Sequence, residues 1–214
     1  MTQKDTLREI ERKAYLSTFQ DGFWDISWAI WLLCWAIVPL LEYLQISRYW
    51  GYPLLFFPAL IIVAGKKYLT IPRLGTVRFG SDRLARGLKL FVAIIIMMAI
   101  IWLVFFLTAK LDFPRGWQQV AGGFGPDLLM GFLIMILLSI VAYFMDYSRM
   151  YIYAILVGLG IPLVHLLEKY LGEPLNHLIV FGIPGLAVLL FGLILFFRFL
   201  NKYPRSNPEV SDDA

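Results

Sequence analysis

From residue 90 to residue 106 the chain reads Leu-Phe-Val-Ala-Ile-Ile-Ile-Met-Met-Ala-Ile-Ile-Trp-Leu-Val-Phe-Phe, without a charged side chain or a turn residue. Six predominantly apolar runs occur, at 26–44, 49–65, 90–108, 128–144, 150–167 and 178–197, each 17 to 20 residues long. A helix rises 1.5 Å per residue, so about 20 apolar residues cover the ~30 Å hydrocarbon core of a bilayer. Buried backbone groups must be paired within lipid, which leaves helices or closed barrels, and barrel strands would alternate apolar with polar residues. These runs do not alternate. A hydrophobic content of 60% and a mean hydropathy of +0.73 exceed what a water-soluble domain carries. The fold class expected is therefore an all-α integral membrane protein of six transmembrane helices, arranged as three consecutive hairpins.

Orientation follows from the basic residues. Alternating sides from the N-terminus places fifteen Lys and Arg on one side and four on the other, and the richer side faces the cytoplasm. Both termini are then cytoplasmic, in a cell (plasma or inner) membrane. Three regions result: an amphipathic N-terminal segment over 1–25, the six-helix domain over 26–200, and a disordered tail over 201–214. In the first, Thr6 and Glu9 have capping-box spacing, and Leu7, Ile10 and Ala14 share one face. Residues 1–20 are charged throughout, so no cleavable signal is expected. The loop 66–89 holds seven basic residues, and Lys66, Lys67, Arg73, Arg78, Arg83 and Arg86 are its candidate contacts to anionic lipid headgroups. Nothing in the pattern points to nucleic acid.

The even-numbered helices leave the membrane through similar segments, Leu69-Thr70-Ile71-Pro72-Arg73, Met145-Asp146-Tyr147-Ser148-Arg149 and Asn201-Lys202-Tyr203-Pro204-Arg205, which suggests a weak threefold repeat. Mitochondrial carriers share the three-hairpin plan, but this chain lacks their repeated Pro-x-Asp/Glu-x-x-Lys/Arg motif. Asp21-Gly22-Phe23-Trp24-Asp25-Ile26 and Pro72-Arg73-Leu74-Gly75-Thr76-Val77-Arg78-Phe79 resemble segments of uncharacterised small prokaryotic multi-pass membrane proteins. That resemblance covers about a third of the chain and implies no particular activity.

Ionisable residues deep in a membrane mark ion paths or relays, and the middles of the six runs contain none. Ser139 lacks the flanking glycines of a rhomboid nucleophile and lies at the opposite depth from His177, so no intramembrane protease is expected. His165, Glu168, Glu173 and His177 gather near the outer turn between the fifth and sixth runs, and such donors could ligate zinc or haem iron. Polar residues at an aqueous rim need no such purpose, so the expectation is no metal and no cofactor.

The first run carries the most distinctive pattern. At 100° per residue Trp24, Trp28, Trp31, Trp35 and Glu42 share a stripe about 60° wide, suited to gripping a flat apolar ligand or a partner subunit. Small residues at Ala154, Gly158, Gly182, Gly185 and Gly192 further predict close packing of the fifth and sixth helices. The functional expectation is a non-enzymatic membrane subunit or scaffold acting through partner, lipid or small apolar-ligand contacts, including a second copy of itself. The alternative is a transporter or channel for a neutral or apolar solute.

Overall fold

The computed structural model describes residues 15–46, 54, 56–74, 81–110 and 125–204. Among these the fold is all-helical. Helix α1 spans Phe23–Tyr43 and α2 spans Phe57–Gly65, which continues through a π turn at Lys66–Thr70 into a last α turn at Ile71–Leu74. Then come α3 (Ser81–Lys110), α4 (Gly125–Met145) and α5 (Arg149–Leu171). Helix α6 opens at Leu175–His177, passes a second π turn at Leu178–Gly182 and runs on over Ile183–Lys202. Five of these, all but α2, are long and apolar enough to cross a membrane. The described helix in the second expected run is nine residues long, and residues 47–53 and 55 lie outside the described set.

The helices overrun the apolar runs by up to about a turn at most ends. Hydropathy marks the part suited to hydrocarbon, whereas backbone hydrogen bonding continues into polar sequence until a capping geometry stops it. At the start of α1, Asp21 Oδ1 accepts the Phe23 N–H at 3.2 Å and Gly22 turns the chain at φ 76°. At the end of α4, Asp146 adopts φ 52° and the Tyr147 N–H reaches back to the Ala142 carbonyl at 3.1 Å. That six-to-one bond is the usual closure of a helix by a left-handed residue, a conformation Asp tolerates better than most.

The related exit segments take three different conformations. The first stays helical, the second is the tight α4–α5 turn, and the third ends α6 after Lys202. Residues 1–14 and 205–214, with the expected N-terminal amphipathic pattern and most of the expected tail, lie outside the described set, as does Arg78.

Helix α1 is central: it packs along α6 and against α2, while α4 pairs with α5 and α3 lies chiefly along α4. The expected close packing of α5 with α6 is corrected. A Cβ at Gly131 would stand 2.1 Å from the Gly158 carbonyl oxygen, so Gly158 serves the α4–α5 crossing. A Cβ at Gly192 would stand 2.9 Å from the Ile26 nitrogen, so that glycine serves α1. Helix α5 meets α6 mainly at its opening turns, where Phe181 packs over Gly160. Small-residue spacing locates a close approach without naming the helix that approaches. Two cores result, one around Phe19, Ala142, Tyr147, Met150 and Tyr153 and one around Leu32, Ala36, Val157, Val180 and Phe181.

Candidate functional site

The strongest polar feature lies where α1 and α5 begin. Asp25 is fully buried. Its Oδ1 accepts the hydroxyls of Tyr147, at 2.8 Å, and of Tyr153, while its Oδ2 accepts Arg149 Nη1 at 2.7 Å. Arg149 also donates from Nη2 to the Phe19 carbonyl at 2.7 Å. The salt bridge thus ties α1 to α5, and the tyrosines fill lone pairs that would otherwise be buried without a partner.

One turn earlier Asp21 is likewise fully buried and accepts Thr70 Oγ1 at 2.9 Å. Burial pushes its carboxyl above the ordinary carboxylate range, opposed by nearby Lys66 and by its hydrogen bonds. Burial lowers the Lys66 ammonium, and Asp21 opposes that. Lys66 Nζ donates to the Thr18 carbonyl at 3.1 Å and sits over the rings of Phe19 and Trp24. Between α4 and α5, Asp146 accepts Arg83 at 3.3 Å and Arg86 at 3.1 Å, and Arg83 stacks on Tyr15. The Tyr147 hydroxyl is held far above its ordinary pKa, first by burial and then by Asp25. Each of these carboxylates is filled by donors of the chain itself, which suits a clasp between helices better than a base awaiting substrate.

This arrangement accounts for Asp21, Gly22, Phe23 and Asp25 of the Asp-Gly-Phe-Trp-Asp-Ile segment. Asp21 caps α1, and a Cβ on Gly22 would meet the Gly192 carbonyl oxygen at 2.5 Å. The Phe23 ring fills the space over Gly65, and Asp25 holds Arg149. Sequence reading missed Asp25 because the first apolar run was begun one residue later. The signal available was the i, i+4 spacing of Asp21 and Asp25 beside Trp24, which puts two carboxylates on one face at a membrane entrance.

Of the expected lipid-contacting cations, Lys66 and Arg83 have partners within the chain, and an Arg73 guanidinium nitrogen is buried without one among the described residues. Lys67 lies near its neighbour Tyr68, and Arg86 remains half exposed. At the opposite end His165 Nδ1 lies 3.3 Å from Asp127 and 3.9 Å from Glu168. His177 has its ring against Asn176 Oδ1 at 3.0 Å and near Phe181. Asn176 Nδ2 donates to the Val164 carbonyl at 3.3 Å, so the opening turn of α6 lies beside the turn of α5 that carries His165. Among the described residues no set of three or more His, Cys, Asp or Glu is arranged to hold a metal ion. Glu42 closes the stripe on the exposed last turn of α1.

Trp28, Trp31 and Trp35 form a continuous array. Trp28 stacks on Tyr153 at 5.7 Å, Trp28 and Trp31 lie 5.5 Å apart, Trp31 and Trp35 5.3 Å, and Trp35 meets Phe181 edge-on at 5.4 Å. All four indoles are partly buried. One flank of the array lines a groove of about 240 Å³ between α1 and α2, formed by Trp24, Trp28 and Trp31 with Ser27, Pro58 and Ile62. Ser27 Oγ donates to the Pro58 carbonyl at 2.9 Å, and Cys34 Sγ approaches the Leu54 carbonyl at 3.5 Å, so the two walls are pinned together. Trp24 Nε1–H is buried with no hydrogen-bond partner among the described residues.

Among the described residues these features define an all-helical fold with five helices fit to span a membrane, tied at one end by a buried ion pair. Comparison with protein-family models, with curated proteins and with solved structures gave no match.

Proposed function

We propose that the chain is a non-enzymatic membrane subunit that holds a small, flat apolar ligand in the tryptophan groove between α1 and α2. It does so as a six-span protein of the cell membrane, with both termini and the basic loop 66–89 in the cytoplasm. The observation carrying this reading is the groove itself, which Trp24, Trp28 and Trp31 line. Apolar burial gains little inside lipid, so affinity has to come from stacking and close packing.

The test is native mass spectrometry of the protein extracted from its own membrane in mild detergent, parent against Trp31→Ala. Trp31 sits mid-array, and its loss should leave the fold intact while reducing ligand retention about tenfold or more. If the parent carries nothing, or if Trp31→Ala unfolds in the same detergent, the tryptophans are packing and the reading fails. A retained protein in place of a small molecule would turn the groove into a subunit interface. Orientation is checked separately by Arg78→Cys in a Cys34→Ala background. Reaction with an impermeant reagent from outside the cell would overturn it.

A further inference from the structure

Three cations from two helices meet at a second concavity that the tryptophan groove does not touch. Arg198 and Lys202 stand four residues apart on the last turns of α6, and Phe191 and Leu195 continue the same stripe toward the middle of that helix. Arg149 reaches the same place from the start of α5, and Gln20 borders it from the segment before α1. Together these residues line a cavity of about 340 Å³. The charge of Arg149 is balanced by Asp25 and its guanidinium is fixed by Asp25 and the Phe19 carbonyl. Arg198 and Lys202 are exposed and have no ion-pair partner among the described residues. Two uncompensated cations beside one pre-positioned guanidinium make a site with a net positive field.

The wall of the cavity decides the ligand. Phe191 is about half exposed, and Ile194 and Leu190 beside it are more so, giving an apolar track leading away from the charges along α6. A soluble phosphate would use the cations and leave this track idle. A molecule with an anionic phosphodiester at one end and an acyl chain at the other uses both, and a helix end at the bilayer surface presents the two at the correct depths. We infer that Arg149, Arg198 and Lys202 form a headgroup site for an anionic phospholipid whose acyl chain runs along Phe191 and Leu195. This site is distinct from the basic loop 66–89 and independent of the tryptophan-groove reading.

The full chain in detergent is titrated with phosphatidylglycerol and with phosphatidylcholine of matched acyl chains, and bound lipid is counted by native mass spectrometry. The parent should retain phosphatidylglycerol in clear preference. Arg198→Gln/Lys202→Gln should weaken that binding about tenfold or more, whereas the equally charge-depleted Lys67→Gln/Lys89→Gln should weaken it much less. Phe191→Ala should weaken both lipids' residual binding at the site without changing the preference between them. Equal retention of the two lipids, or equal losses in the two double variants, would overturn the assignment by reducing it to general surface charge. Competition by glycerol 3-phosphate at the affinity of the lipid would overturn it in favour of a soluble phosphate. Arg198 and Lys202 are exposed, so both double variants should keep the parent's thermal unfolding midpoint, and a Trp31→Ala protein should bind phosphatidylglycerol as the parent does.

Discussion

The two ends of the bundle handle charge in opposite ways. At one end Asp21 and Asp25 are fully buried, and donors drawn from α2, α5 and the α4–α5 turn fill their oxygens. At the other, His165, Asp127 and Glu168 have side chains 36–52% exposed, and their contacts are longer, at 3.3 and 3.9 Å. Both ends would have looked alike in a count of ion pairs. The difference is in what removal leaves behind: a stranded buried group at the first end and a solvated one at the second. The first end sets the helix arrangement, and the second tolerates change.

The largest effect expected is from Asp25→Ala. It leaves Arg149 without its anion and the Tyr147 and Tyr153 hydroxyls without an acceptor, a loss of about 3–5 kcal/mol for a broken buried pair. Thermal unfolding in mild detergent, followed by loss of the monodisperse elution peak, should show little folded protein at temperatures where the parent survives. A variant as stable as the parent would show that the clasp does not organise the bundle. Gly22→Ala comes next, at about 1–3 kcal/mol, because it combines a left-handed backbone with a Cβ placed 2.5 Å from the Gly192 carbonyl oxygen. The unfolding midpoint should fall clearly, and an unchanged midpoint would mean that α1 and α6 can separate at that crossing without loss.

A smaller effect sharpens the comparison through pH. Asp21 holds its proton more tightly when folded than when unfolded. Its contribution to stability is therefore complete below the ordinary carboxylate pKa and falls away as pH rises through the raised folded value. Asp21→Asn lacks that dependence. Plotted against pH, the parent's midpoint minus the variant's should grow as the solution is acidified from neutrality toward the carboxylate range. A flat difference, or one growing with alkalinity, would mean that Lys66 and the hydrogen bonds outweigh burial at Asp21. Smallest of all is His165→Ala, an exposed pair worth at most about 0.5 kcal/mol. A midpoint shift as large as that of Gly22→Ala would erase the distinction between the ends.

Periodicity and length made much of this fold legible beforehand. Five of the six apolar runs fall on helices fit to span a membrane, although α3 starts at Ser81 rather than at residue 90, and the 100° arithmetic placed four indoles on one face, where the structure finds the rings of Trp28, Trp31 and Trp35 in succession. What could not be read was pairing across the chain. Asp25 and Arg149 belong to segments whose local patterns are complete without each other, and neither spacing nor hydropathy contains the relation. The glycines failed for the same reason: Gly158 announced a close neighbour, and the neighbour was α4.

The distance along the chain between the partners of the clasp has a consequence for biosynthesis. Arg149 is made 124 residues after Asp25, on the order of 10 s later at ribosomal rates of 5–20 residues per second. In the membrane reading, α1 reaches the bilayer while its carboxylate has no guanidinium to meet. A lone carboxylate is held out of hydrocarbon by a few kcal/mol, so the nascent α1 rests shallow, with Asp25 among water and headgroups. Its descent to final depth waits for the start of α5. A chain stalled on the ribosome before residue 149 should accordingly leave position 25 open to an aqueous probe, and release of the full chain should close it.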